Sequence, residues 1–136
     1  MQNSKETRCP CRELDAEQRR YLDCCQRFHD GRANGENLPQ TAQELMRSRY
    51  SAFVLGKTQY LLDTWHETTR PKELELDAGM RWLGLEIHQT RAGGPDATRG
   101  VVDFEAHYAH GRGQASQREV SSFVRENGAW FYVDAL

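Results

Sequence analysis

Four cysteines are the residues whose type and spacing could do chemistry by themselves. They read Cys9-Pro10-Cys11, then twelve residues, then Cys24-Cys25. Thiolates are soft ligands, and four of them suit a tetrahedral, redox-inactive zinc ion. In a reducing compartment, clustered thiols are more often metal ligands than disulfides. The alternatives are reduced or partly oxidised thiols, and thiol redox chemistry. Pro10 keeps the first pair on a tight turn. The second pair lies in Asp15 to His29, a segment that can be helical. Adjacent residues on a helix point about 100° apart, so Cys24 and Cys25 demand a distortion at its end. His29 is a substitute for one cysteine ligand; its plainer role is an exposed histidine at a helix end. Arg8, Arg12, Arg19, Arg20 and Arg27 surround the site, where they can offset thiolate charge or simply solvate the surface.

The remaining elements decide which other side chains can meet. The polar stretch Asp30 to Gln40 reads as a linker, rich in glycine and asparagine. Thr41 and Glu44 form a capping box, each side chain able to satisfy the other's orphan amide. The helix that follows carries Leu45, Met46, Phe53 and Val54 at helical spacing and stops at Gly56. A second helix is expected over Thr58 to Glu67. From Met80 the period changes to two. Leu83, Leu85 and Ile87 share one face of the first strand. Val102, Phe104, Ala106 and Tyr108 alternate with Val101, Asp103, Glu105 and His107 on the second. Gly-Arg-Gly-Gln-Ala-Ser then turns the chain, and the third strand is expected from Arg118. Asn127-Gly128 marks a tight hairpin into the fourth.

Helices followed by an antiparallel meander argue an α+β fold, with helices packed on a curved four-stranded sheet. Such a cone leaves a pocket at its wide end. The polar residues that can line it are Arg47 or Arg49, Tyr50, Trp65, His66, Asp103, Glu105, His107 and Glu119. Arg49 with Glu119 suggests a bidentate clamp, or else a structural helix-to-sheet ion pair. His66 suits a favourable place beside a helix C-terminus. His107 and His110 are expected to face solvent. No second metal constellation is expected.

Composition narrows the classes. The chain has 136 residues, all four cysteines in the first 25, and a formal charge of −2. Residues 1–30 are expected to form a metal knuckle and residues 31–136 a cysteine-free domain held by apolar packing. No basic stretch favours nucleic acid. The longest apolar runs are far too short to cross a membrane. The opening MQNSKETRCPCR lacks the apolar core of a secretory signal, so a cytoplasmic location is expected.

Several ordered residues carry a resemblance. They are Thr41-Ala42, Leu45 through Phe53, Thr64-Trp65-His66, Thr69-Arg70-Pro71 and Val102-Asp103-Phe104. Tyr108, Glu119, Ser121, Phe123 through Glu126, Gly128, Trp130 and Tyr132-Val133-Asp134 continue it. Together they resemble the YchJ-like family over nearly the whole chain. The resemblance implies a nuclear-transport-factor-two-like, cystatin-like cone. The cysteines resemble the SEC-C zinc motif, which implies Cys9, Cys11, Cys24 and Cys25 as zinc ligands; Tyr21 also matches. Arg12-Glu13-Leu14 stands where that motif has glycines, and Arg118 where the family usually has histidine. The resemblance implies no particular activity.

Two functions are therefore expected. The first is a zinc-stabilised interaction module that meets a protein partner through the knuckle. The alternative is a small-molecule binder or acid–base enzyme using the cone pocket, with Arg49, Tyr50, Trp65, His66 and Glu119 as candidates. No residue is assigned a catalytic role.

Overall fold

The computed structural model describes residues 7–136. The first six, which begin both the opening stretch and the expected knuckle, lie outside the described residues. The chain then forms a short antiparallel bridge between Arg8 and Arg20. Cys9 N donates to Arg19 O at 2.8 Å, and Tyr21 N to Thr7 O at 2.8 Å. Tight helical turns follow at Pro10–Arg12 and Tyr21–Asp23.

Helix α1 spans only Cys25–Gly31, so the helix expected from Asp15 is largely absent. Local chemistry competes with it: Glu17 N is bonded to the Asp15 carboxylate at 2.9 Å, an Asx-type turn. Cys24 stands before the helix with φ −126° and ψ −103°. That break lets two adjacent sulfurs turn toward one point. The expected linker is mostly exposed but anchored: its Arg32 donates to Trp130 O at 3.1 Å and lies over the Phe131 ring at 4.9 Å.

Helix α2, Ala42–Leu55, starts as expected, with Glu44 N bonded to Thr41 Oγ1 at 3.0 Å. The Glu44 carboxylate, however, accepts from Gln40 N at 2.7 Å, one residue before the expected amide. Gly56 ends the helix at φ 72°, where a side chain would be strained. Helix α3, Thr58–Asp63, ends four residues early. There Tyr132 N donates to Thr64 O and His66 N to Tyr132 O, both at 2.8 Å. Pairing with the sheet replaces the last helical turn.

Strands β1 (Met80–Ala92), β2 (Arg99–His110), β3 (Gly113–Glu126) and β4 (Ala129–Ala135) form one antiparallel sheet in sequence order. Asn127 and Gly128 both have positive φ, 52° and 81°, as the tight hairpin requires. Strand β3 begins five residues before its expected start. Its first residues are mostly exposed and carry no alternation to read. A bulge at Leu83 shifts β1: Trp82 pairs with Tyr108, but Gly84 pairs with His107. Trp82 therefore takes the core face beside Leu85 and Ile87, where Leu83 was expected.

Helix α2 lies across the concave face. Leu45, Met46 and Tyr50 pack with Leu85, Val102, Phe104, Phe123 and Trp130. The four cysteines belong to that same core, not to a detached satellite. Phe28, Ala52, Tyr60 and Leu61 form a second, smaller cluster. Among the described residues no helix is long and apolar enough to cross a membrane.

Candidate functional site

The four cysteines converge although Cys9 and Cys25 come from separate turns. Cys9 to Cys11, Cys11 to Cys24 and Cys11 to Cys25 are each 3.7 Å between sulfurs, and Cys24 to Cys25 is 4.0 Å. A tetrahedral thiolate centre with metal–sulfur bonds of about 2.3 Å has sulfur–sulfur edges of about 3.8 Å. These four edges lie close to that figure and are far too long for disulfide bonds. These four side chains could hold a metal ion, with all ligand atoms within 4.8 Å of one another.

The thiols share their protons unevenly. Hydrogen bonding with Cys11 lowers Cys9 and brings Cys24 down to about 6. Hydrogen bonding with Cys24 raises Cys11, and with Cys11 raises Cys25. Metal binding to such a set would require all four sulfurs as thiolates, so it would release the protons they share.

Helix α2 supports this cluster with Ser51, which carried no expected role, and with Arg47, which was expected at the pocket. Ser51 Oγ donates to Cys25 Sγ at 3.3 Å and lies 3.5 Å from Cys9 Sγ. Arg47 donates to Cys11 O at 3.0 Å, to Asp15 at 2.6 Å and to Gln43 at 3.0 Å. His29 is neither ligand nor exposed. Its ring meets Tyr21 OH at 2.6 Å and Ser48 O at 2.8 Å, so both nitrogens are engaged. Burial lowers its pKa below the usual 6.5. Leu14 lies against Gly84, where a Cβ would come within 2.4 Å of it.

The other buried side of α2 faces a cavity of about 340 Å³. Met46, Arg49, Tyr50 and Phe53 contribute, a helical stripe with Trp65, Trp82, Phe104, Ala106, Glu119 and Tyr132 opposite. Four expected pocket residues are elsewhere, and so is Arg47, which turns to the cysteine cluster. Asp103, Glu105 and His107 take the outer face, because Val102, Phe104 and Ala106 claim the inner one. His66 does not line the cavity; its ring bonds Thr68 Oγ1 at 2.7 Å and Glu126 at 3.1 Å. Tyr50 gives its ring to the wall, edge-on to Trp82, while its hydroxyl meets the Gly84 backbone.

The expected Arg49–Glu119 pair is not a direct one. Arg49 Nη1 donates to Leu61 O at 2.8 Å and to Thr64 Oγ1 at 2.7 Å. Its Cζ lies 4.6 Å from the Tyr132 ring centroid and 5.0 Å from that of Trp65. Glu119 accepts from Ser121 at 2.6 Å and from Tyr132 OH at 3.3 Å. Tyr132 thus stands between the two charges. Burial draws the Arg49 pKa down to about 10. No sequence signal marked Tyr132 for this place, because a register shift near Phe123 aligns it.

One group was not expected. Glu86, Glu105 and His107 bring ligand atoms together on the outer sheet face. Their partners are already local: His107 meets Glu86 at 2.6 Å and His88 meets Glu105 at 2.9 Å. Ser116 also donates to Glu105 and, with His88, lowers its pKa.

A curved sheet with α2 across it and a cysteine cluster at its flank defines a nuclear-transport-factor-two-like domain with an appended metal-type motif. The comparisons agree with that class. The family model for the YchJ middle NTF2-like domain matches residues 41–135. The chain belongs to this YchJ-like family. It is 49% identical over 126 residues to a UPF0225 protein of Streptomyces coelicolor, covering 93% of this chain and 92% of that relative. A UPF0225 protein of Corynebacterium glutamicum is 46% identical over 125 residues, covering 92% and 93%. The crystal structure of a SEC-C motif protein from Psychrobacter arcticus superposes with TM-score 0.80 at 30% identity, covering 96% of this chain and 82% of that one. The solution structure of a SEC-C motif protein from Rhodopseudomonas palustris gives 0.75 at 24% identity, covering 96% and 98%, a likeness of fold.

Proposed function

We propose that this chain is a zinc-stapled small-molecule-binding protein of the cytoplasm. Zinc at Cys9, Cys11, Cys24 and Cys25 would supply a redox-inert tetrahedral cross-link, and four thiolates leave it no open position for catalysis. The observation that carries the reading is the division of helix α2. Ser51 and Arg47 tie one side to the cysteine cluster. Arg49, Tyr50 and Phe53 turn the other to the cavity. The metal fixes the helix that roofs the pocket.

Two measurements test this. Elemental analysis of untagged, reduced protein should give about one zinc per chain; a value near zero removes the staple. A small-molecule library should yield binders that shift the Trp65 and Trp82 indole resonances and lose affinity in Ala106→Phe. Binders that all map elsewhere would overturn the pocket.

A protein partner at the knuckle is the second reading. Leu14 and Leu22 favour it, apolar residues 51% and 42% exposed on that segment. Capture experiments with Leu14→Ser/Leu22→Ser should then lose partners that the parent protein retains.

A further inference from the structure

Arg49 is only 3% exposed, yet no carboxylate lies within ion-pair distance of it among the described residues. Both of its hydrogen bonds come from Nη1. Nε and the near hydrogen of Nη2, the side-on edge of the guanidinium, have no protein partner among the described residues. Tyr132 and Trp65 both lie to one side of the group, their centroids 4.6 and 5.0 Å from Cζ and 5.2 Å from each other. The unpaired edge is what the guanidinium can offer a ligand, and Arg49 lines the cavity.

That geometry is selective. A guanidinium edge with two parallel N–H groups matches the two oxygens of a carboxylate lying in its plane. A buried cation without a counter-ion is costly, and an incoming anion relieves that cost. The carboxylate of the fold that could have served, Glu119, is drawn aside by Ser121 and Tyr132. Apart from Gln117, the rest of the wall is mainly apolar or aromatic, with Phe53, Trp82, Phe104 and Ala106. A cavity of about 340 Å³ is at the small end for ligand sites.

We propose that the pocket binds a small monocarboxylate with an aromatic or aliphatic body. Its carboxylate docks side-on against Nε and Nη2 of Arg49, and its body lies against Trp82 and Phe104. This deepens the pocket reading above and rests on it. Glu119 stays close enough to repel the anion weakly, which tunes affinity downward.

The test uses the full metal-loaded chain and three acids, cinnamate, naphthoate and decanoate, each beside its primary amide. Calorimetry gives affinities, and the Trp65 and Trp82 indole resonances report the place of binding. At least one acid should bind about tenfold more tightly than its amide, the factor that one charge-assisted bidentate contact readily supplies. Arg49→Met should remove the acid–amide difference. Arg49→Lys should restore only part of it, since an ammonium lacks the fork. Glu119→Gln should tighten acid binding a few-fold and leave amides unchanged. Acids and amides that bind the pocket equally would overturn the carboxylate class and leave the pocket standing. Binding of neither, or binding away from both tryptophans, would overturn the pocket itself. Should Arg49→Met not fold, Glu119→Gln decides: unchanged or weaker acid binding refutes the proposal.

Discussion

The two sides of helix α2 are built to opposite rules. On the cysteine side most strong groups have a partner inside the protein, the buried Nε of Arg12 being an exception. Four sulfurs face one another, Ser51 bonds one of them, and each nitrogen of the Arg47 guanidinium donates, to Cys11, Asp15 or Gln43. On the cavity side Arg49 keeps donors unspent and packs against two aromatic rings. Two arginines stand two residues apart on one helix. One closes a site, and the other leaves one open. A closed set marks structure, while an open buried charge marks a place for something that arrives later.

The largest effect should come from the closed side. Cys11→Ser/Cys25→Ser, or chelation, should remove the metal and the order of residues 7–31, because metal binding supplies folding free energy there. Amide exchange should show that protection falls in that segment while β2 and β3 stay protected. Equal loss throughout would show that sheet and cysteine segment form one cooperative unit.

The two arginines sharpen the comparison next. Arg47→Met should cost about 2 kcal/mol in denaturant unfolding, since it leaves the Cys11 carbonyl unpaired and Asp15 with only Arg12 and the Glu17 amide. Arg49→Met should cost about 1 kcal/mol or less, because it also removes an unpaired buried charge. Equal costs would break the distinction between them.

Gly84→Ala should have a smaller effect, about 1–2 kcal/mol, as the added methyl displaces Leu14. Leu14 is half exposed and can move, so acid binding in the cavity should survive. Thermal melts with and without chelator test whether the loss is confined to the cysteine side.

The smallest effect is in pH. His29 is held neutral by burial, its folded pKa depressed below 6.5. Its contribution is complete above the unfolded value. It is lost as pH falls below about 6.5 toward the folded pKa, because the unfolded chain takes up the proton first. His29→Gln should flatten that part of the stability profile, and a profile unchanged by the substitution would show that other groups carry it.

Much of this was readable from local chemistry. The cysteine cluster, the Thr41 cap, the Gly56 stop and the Asn127-Gly128 hairpin each depend on a few neighbouring residues. The alternation that buries Val102, Phe104 and Ala106 depends only on the strand period. The same rule turns Asp103, Glu105 and His107 outward, away from the pocket where they were expected. The helix expected over Asp15 to His29 failed because an Asx turn and the needs of two adjacent sulfurs outweighed propensity.

What the sequence determined by itself was a thiolate set and an ordered series of elements, since residue type and short spacing fix those. Tertiary structure alone decided the rest. The bulge at Leu83 brought Trp82 inward, and a register shift in β3–β4 placed Tyr132 between Arg49 and Glu119. Arg47 and Arg49 are the same residue type in the same helix. Which one is satisfied depends on partners from 12 to 36 residues away. Such long-range placement follows from packing and register, which no local pattern encodes.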